Sequence, residues 1–205
     1  MMKRKILIRL ASFALAASAM SVTLPATAQL GGNNGEDFLT AVREVDGNKA
    51  TELLNRQGST VLSHRGGKGE TALNIVARRR DSTWLGFLLG RGADPNVGDD
   101  RGETPLLIAA RLGWEDGVSL LLGTRAAVDR ANRFGETALI VAVQARQPGM
   151  VRLLLQNGAN PDKKDTAAGY SARDYARRDS RSTELIRLIE SVKPGKKIIA
   201  GPVFK

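Results

Sequence analysis

One 28-residue pattern returns along the chain at an almost fixed interval, and a chain that repeats this way has few choices of fold. "GETALNIVARRRDSTWLGFLLGRGADPN" begins at Gly69, "GETPLLIAARLGWEDGVSLLLGTRAAVD" at Gly102 and "GETALIVAVQARQPGMVRLLLQNGANPD" at Gly135, with a weaker copy, "GYSARDYARRDSRSTELIRLIESV", at Gly169. The starts lie 33, 33 and 34 residues apart. Each copy reads as two short amphipathic helices behind a turn. Gly and Thr shape the turn and cap the first helix. Pro105 opens a helix running to Leu112, where a missing N–H costs little. A brief break leads to a second helix, Glu115 to Leu122 in the central copy, ending in a Leu triplet. Gly92 and Gly158 stand where that helix must stop with a positive φ, and Arg125 takes the same place in the third unit. One such hairpin cannot bury its apolar face, but stacked copies can, which predicts a solenoid with a continuous core.

Composition agrees with helices. Aromatic residues are only 4% of the 205 residues, so the core must be built from Leu, Val, Ile and Ala. An earlier segment, Glu36 to Gly58, has the same apolar spacing without the opening turn and reads as a degenerate first unit. The last unit departs in the other direction, with Arg173 and Asp174 where its predecessors carry Leu and a neutral residue. Terminal units that differ from the rest are what capping a stack requires.

The 33-residue period, "GETPLLIAA", the "LLL" of the second helix and "GADPN" together resemble ankyrin repeats, over about residues 35–192. The resemblance implies an all-α ankyrin-repeat solenoid of about five stacked units, at roughly 35–68, 69–101, 102–134, 135–168 and 169–192, joined by short β-turns. The family's Thr-Pro-Leu-His signature appears here as Thr71-Ala72-Leu73-Asn74, Thr104-Pro105-Leu106-Leu107 and Thr137-Ala138-Leu139-Ile140. None keeps the His that usually bonds between turns. The loop "KKDTAAG" before the last unit is one residue longer than its predecessors, so a bulge is expected there.

Both ends lie outside the repeats. "MMKRKILIRL" is basic, "ASFALAASAMSVTL" is apolar and uncharged, and "PATAQ" places Ala26 and Ala28 at the small-residue positions before a cut. This is the three-part pattern of a signal peptide, with cleavage expected after Ala28 and a short flexible stretch, 29–34, before the fold. The apolar run is shorter than the roughly 20 residues a membrane span needs. The chain has no cysteine, so neither a lipidated cysteine nor a disulfide is available. The reading is an exported bacterial protein, periplasmic, with secretion as the alternative. At the other end, "KPGKKIIAGPVFK" is expected to form a basic disordered tail over 193–205.

Of the net charge of +10, residues 1–28 carry +4 and the tail from Lys193 to Lys205 another +4, which leaves +2 for residues 29–192. The high isoelectric point is therefore no argument for nucleic acid, which is not expected as a partner.

No chemistry of an enzyme emerges. His64 is the only histidine, and one His without cysteine builds no zinc site of the usual ligand sets and no serine–histidine–acid triad with a nucleophile motif. "RGGKGET", Arg65 to Thr71, evokes a phosphate loop, but Leu62 and Gly69 hold the places that need Gly and Ser or Thr. The acidic pairs Asp99-Asp100 and Glu115-Asp116 fall on a turn and at a helix start, where acids suit the helix dipole. No enzyme, metal or cofactor is expected.

The family resemblance implies that a partner meets the turn tips and the exposed ends of the first helices. The tips are Gly67 and Lys68, Asp100 and Arg101, Arg133 and Phe134, then Thr166 to Ala168. The helix ends are Arg43 and Glu44, Arg78 and Arg79, Arg111 and Leu112, Gln144 and Ala145, Arg177 and Arg178. Arginine occurs in four of the five helix-end pairs, and Lys68, Arg101 and Arg133 put a cation on three tips. The candidate binding residues are thus Lys68, Arg78, Arg79, Arg101, Arg111, Arg133, Phe134, Arg177 and Arg178. They form a basic stripe suited to an acidic or anionic protein partner, with Phe134 as its anchor. The expected function is a non-enzymatic, monomeric interaction module of the periplasm. The alternative is a membrane-surface or envelope-associated structural protein held by the basic tail.

Overall fold

The computed structural model describes residues 34–56, 60–179 and 183–191. The proposed signal peptide and the basic tail lie outside them. Ten helices follow one another in pairs: α1 (Asn34–Glu44) with α2 (Gly47–Asn55), α3 (Ala72–Arg79) with α4 (Ser82–Gly90), α5 (Pro105–Arg111) with α6 (Glu115–Gly123), α7 (Ala138–Gln144) with α8 (Pro148–Gln156), and α9 (Ala172–Arg178) with α10 (Thr183–Glu190). A short 3₁₀ turn, Val61–Ser63, lies between the first two pairs. Among the described residues there is no strand, only an isolated antiparallel bridge between Lys164 and Ser171. The helix α1 begins at Asn34, the last residue of the stretch expected to be flexible.

Local chemistry sets these boundaries. Thr71, Thr104 and Thr137 each take an extended backbone and accept a hydrogen bond from the N–H three residues on, at 3.3, 3.2 and 3.3 Å. Ser171 does the same for α9. Each of these oxygens satisfies one of the donors that a helix start leaves unpaired. Asn74 and Asp174 return the bond to the capping residue's own N–H, closing a capping box in the second and last units. Pro105 and Pro148 open α5 and α8, where no N–H is missed.

First helices pack on first helices, α1 on α3, α3 on α5, α5 on α7 and α7 on α9. Second helices follow suit from α4 through α6 and α8 to α10. The core between the two layers is aliphatic. Leu73, Leu85, Leu88, Leu121, Leu139, Ile140 and Leu154 are fully buried, and so are Ala72, Ala109, Ala142 and Ala176. Trp84 and Trp114 are also buried. The stack ends on a charged plug. Arg173 occupies the slot that Leu73, Leu106 and Leu139 fill in earlier units. It is buried, donates to Asp162 Oδ1 at 2.7 Å and reaches the Ile189 carbonyl of α10 at 3.0 Å. The arginine that looked out of pattern therefore caps the last helix and finishes the stack.

The longer last loop is absorbed by a wider turn. In the two preceding turns the N–H of Asp99 and of Asn132 bonds the carbonyl four residues on, Glu103 and Glu136, whereas the N–H of Asp165 bonds Tyr170, five residues on. Asp165 is buried and holds that wider loop. Burial pushes its carboxyl up, but hydrogen bonds from the Tyr175 hydroxyl and from the backbone of Ala168, Gly169 and Tyr170 overcome this and hold it below the ordinary aspartate range. A depressed folded-state value stabilises the protein above the unfolded-state value and loses that contribution as pH falls. Stability should therefore decline below about pH 4. Asp165→Asn, which borrows the residue of the preceding turn, should flatten this limb in urea melts at several pH values.

The end of the second helix shows why two of three units use glycine. Gly92, Arg125 and Gly158 take φ of 90°, 71° and 83°. A side chain there costs about 1–2 kcal/mol, partly offset because glycine loses more freedom on folding. Arg125→Gly should raise stability by about 0.5–1 kcal/mol in a urea melt. At Gly135, with φ 76°, a Cβ would also lie 2.4 Å from the Thr166 nitrogen. Gly135→Ala should cost about 2 kcal/mol or more by the same measurement.

Candidate protein-interaction face

Each of the three later turns is organised by one side-chain oxygen, while the first has Gly66 in that place and closes through Gly66 N–H to the Glu70 carbonyl. Asp99 Oδ1 accepts from the N–H groups of Arg101 and Glu103 at 2.9 and 3.0 Å, and Asn132 Oδ1 from Phe134 and Glu136 at 2.9 and 3.0 Å. Asp165 Oδ1 takes Ala168 and Gly169 at 2.8 and 2.9 Å. Neighbouring tips are then joined through the backbone. Asp100 N–H bonds Lys68 carbonyl at 3.1 Å, Arg133 bonds Arg101 at 3.0 Å and Thr166 bonds Phe134 at 2.9 Å. The missing histidine is replaced once, by Asn74, whose amide donates to the Glu103 carbonyl of the next turn at 2.9 Å. Elsewhere the tip ladder makes the link.

The helix-end arginines are not free cations. Arg43 bridges Glu36 and Glu70 at 3.0 and 2.7 Å. Arg78 meets Asp99 at 2.7 Å. Arg79 turns back to the Val42 carbonyl at 2.7 Å and to Asp81 at 3.1 Å. Arg111 bridges Glu103 and Glu136 at 3.0 and 3.2 Å. Asn132 Nδ2 donates to the same two glutamates at 2.8 and 2.7 Å, tying that cluster to the turn. Arg177 pairs with Glu190, and Arg178 donates to the Tyr170 hydroxyl and lies over its ring. Burial alone would lower the Arg111 pKa, but the two glutamates raise it above its ordinary value.

A different picture holds at the tips. Lys68, Arg101 and Arg133 are exposed, and their side chains have no ion pair or hydrogen bond among the described residues. Phe134 is 54% exposed on a backbone fixed at both its N–H and its carbonyl. The nine sequence candidates thus fall into two groups. Five arginines, Arg78, Arg79, Arg111, Arg177 and Arg178, join the fold to itself. Lys68, Arg101, Arg133 and Phe134 present themselves outward. The partners Glu70, Glu103 and Glu136 escaped the sequence reading, although the same glutamate stands second in all three "GET" copies. Its recurrence beside recurring arginines was the available signal.

His64 stands 3.5 Å from Glu36 and beside Gly35, as part of the first unit's packing. Among the described residues no group of three or more His, Cys, Asp or Glu is placed to hold a metal ion, and no helix is long and apolar enough to cross a membrane.

The tip ladder, the repeated threonine caps and the paired helices over one aliphatic core are those of a stacked repeat. Residues 73–165 match the family model for ankyrin repeats (3 copies). The fold is an all-α ankyrin-repeat stack. No curated protein matches the chain. The matched stretch runs from α3 to the fourth turn, and the less regular pairs α1–α2 and α9–α10 pack on its two ends. Ankyrin repeats generally mediate protein–protein interaction, and the face just described is where this stack offers side chains that its own folding does not use.

Replacing Arg111 by Met would remove the cation between two carboxylates whose side chains are only 12% and 20% exposed, leaving them the Asn132 amide. Allowing for solvent screening, the loss should be about 1 kcal/mol. Methionine at Lys68, Arg101 and Arg133 should each change stability by less than about 0.5 kcal/mol. Urea melts of the four variants check the contrast.

Proposed function

We propose that this protein is a non-enzymatic interaction module, exported to the periplasm and working as a monomer, that binds an acidic protein partner along its turn tips. The observation that carries the reading is the free, exposed set Lys68, Arg101, Arg133 and Phe134 on a hydrogen-bonded ladder. Of the helix-end arginines, Arg78, Arg79, Arg111 and Arg177 are matched by acids of the chain itself and Arg178 by Tyr170. Unpaired cations on a fixed frame favour an anionic surface and draw it in at long range. The exposed ring adds apolar contact area at low entropic cost. Export rests on the basic, apolar and small-residue segments of residues 1–28.

The test uses the full chain as bait in extract of source-cell envelopes, beside a variant with Lys68, Arg101 and Arg133 all changed to Glu, at low and high salt. Reversing Arg78 or Arg111 instead would break ion pairs of the fold and confound the result. A protein held by the first bait at low salt, weakened by high salt and lost from the variant is the expected outcome. The same proteins on both baits contradict the tip surface. Recovery of the native chain unprocessed from the cytosolic fraction, rather than from the periplasm with Gln29 at its start, contradicts export.

A further inference from the structure

The tips have a spacing as well as a charge. Each turn contributes two arms, and successive turns are joined arm to arm by the bonds from Asp100 to Lys68, Arg133 to Arg101 and Thr166 to Phe134. Two arms at the spacing of hydrogen-bonded strands put equivalent positions about 10 Å apart. The second tip residue of each turn is Lys68, then Arg101, then Phe134. Arg133 stands directly beside Arg101 through its backbone bond, so the second step offers two guanidiniums to one acid. The fourth tip, Thr166 to Ala168, carries no charge and ends the row. One acid interrupts it: Asp100, next to Lys68, is exposed but stands 3.7 Å from Arg65, which offsets its charge.

The backbone donors of the two central turns are already used. The N–H groups of Asp100, Arg101, Gly102, Arg133, Phe134 and Gly135 all donate within or between turns. At these two central turns a partner strand therefore finds no unpaired N–H, and recognition there must go through side chains. In a β-strand every third side chain points to the opposite face. In a polyproline II helix every third side chain returns to the same face after about 9 Å, close to the spacing of the tips. That helix also needs no hydrogen bonds from its surroundings.

We propose that the partner's recognised segment is an acidic polyproline II stretch with acids at positions i and i+3 and an apolar residue at i+6. The first acid faces Lys68, the second faces Arg101 and Arg133, and the apolar residue packs on Phe134. This rests on the interaction reading above and names the chemistry of its ligand.

Two labelled peptides of equal composition on a proline background test it by fluorescence anisotropy at low salt with the full chain. One carries acids at i and i+3 and leucine at i+6; the other carries acids at i and i+2 and leucine at i+5. The first should bind at least about tenfold more tightly, a margin that charge complementarity in register can supply. The preference should disappear in Phe134→Ala and in the double variant Lys68→Glu with Arg101→Glu. All three side chains are exposed, and unchanged thermal melts confirm that the variants fold. Affinities within about twofold of each other, or no binding of either peptide, overturn the spacing rule. If the tip variant still loses its partner from envelope extract, that failure belongs to the spacing rule alone. If neither peptides nor extract discriminate the tips, the interaction reading fails with it.

Discussion

One acceptor oxygen in each of the three later turns, on Asp99, Asn132 or Asp165, decides what the rest of the stack can be. It gathers two N–H groups of its own turn and so fixes the direction in which the tip leaves the helices. The tips so directed place their N–H groups on the carbonyls of the preceding turn. The helices then inherit their separation from the turns, and the aliphatic layer between them closes. A short side chain of this kind competes well for local backbone donors, which is why Asp and Asn serve in turns.

The same economy explains the charges. A stack with arginine at the end of nearly every first helix faces self-repulsion along that row. The glutamate of each "GET" and the turn aspartate stand within reach and cancel it. Exposed ion pairs of this kind add little stability one by one. Their larger effect is to neutralise the helix-end row, while Lys68, Arg101 and Arg133 on the neighbouring tips keep their charge unpaired among the described residues. The same residue type thus stands paired at the helix ends and exposed at the tips of one face.

Much of this was legible in the sequence. The period, the threonine caps, the αL position shared by Gly92, Arg125 and Gly158, and the atypical ends all follow from local rules that need no knowledge of neighbours. The pairing of the arginines did not follow, because it joins residues about 25 positions apart across two units, as in Arg43 with Glu70 and Arg111 with Glu136. Arg173 was legible as a mark of the capping unit, but its contacts were not, for a related reason. On the sequence it is a charge in a leucine's place; in the stack it is a cap whose partners, Asp162 and the Ile189 carbonyl, come from elements on either side. The left-handed turns between paired helices were equally hidden, since Val45, Arg80 and Arg146 adopt φ of 63°, 56° and 53° where only Gly113 announces the need.

The central claim is that the turn tips form a fixed platform rather than loose loops. Amide hydrogen exchange followed by NMR tests it directly. The N–H groups of Asp100, Arg133 and Thr166, which bond the preceding tip, should exchange slowly, at rates comparable to those of helices α5 and α7. The N–H of Gly67, which has no partner among the described residues, should exchange fast. Fast exchange at all four positions would contradict the platform, and with it the reason for expecting those exposed cations to act together.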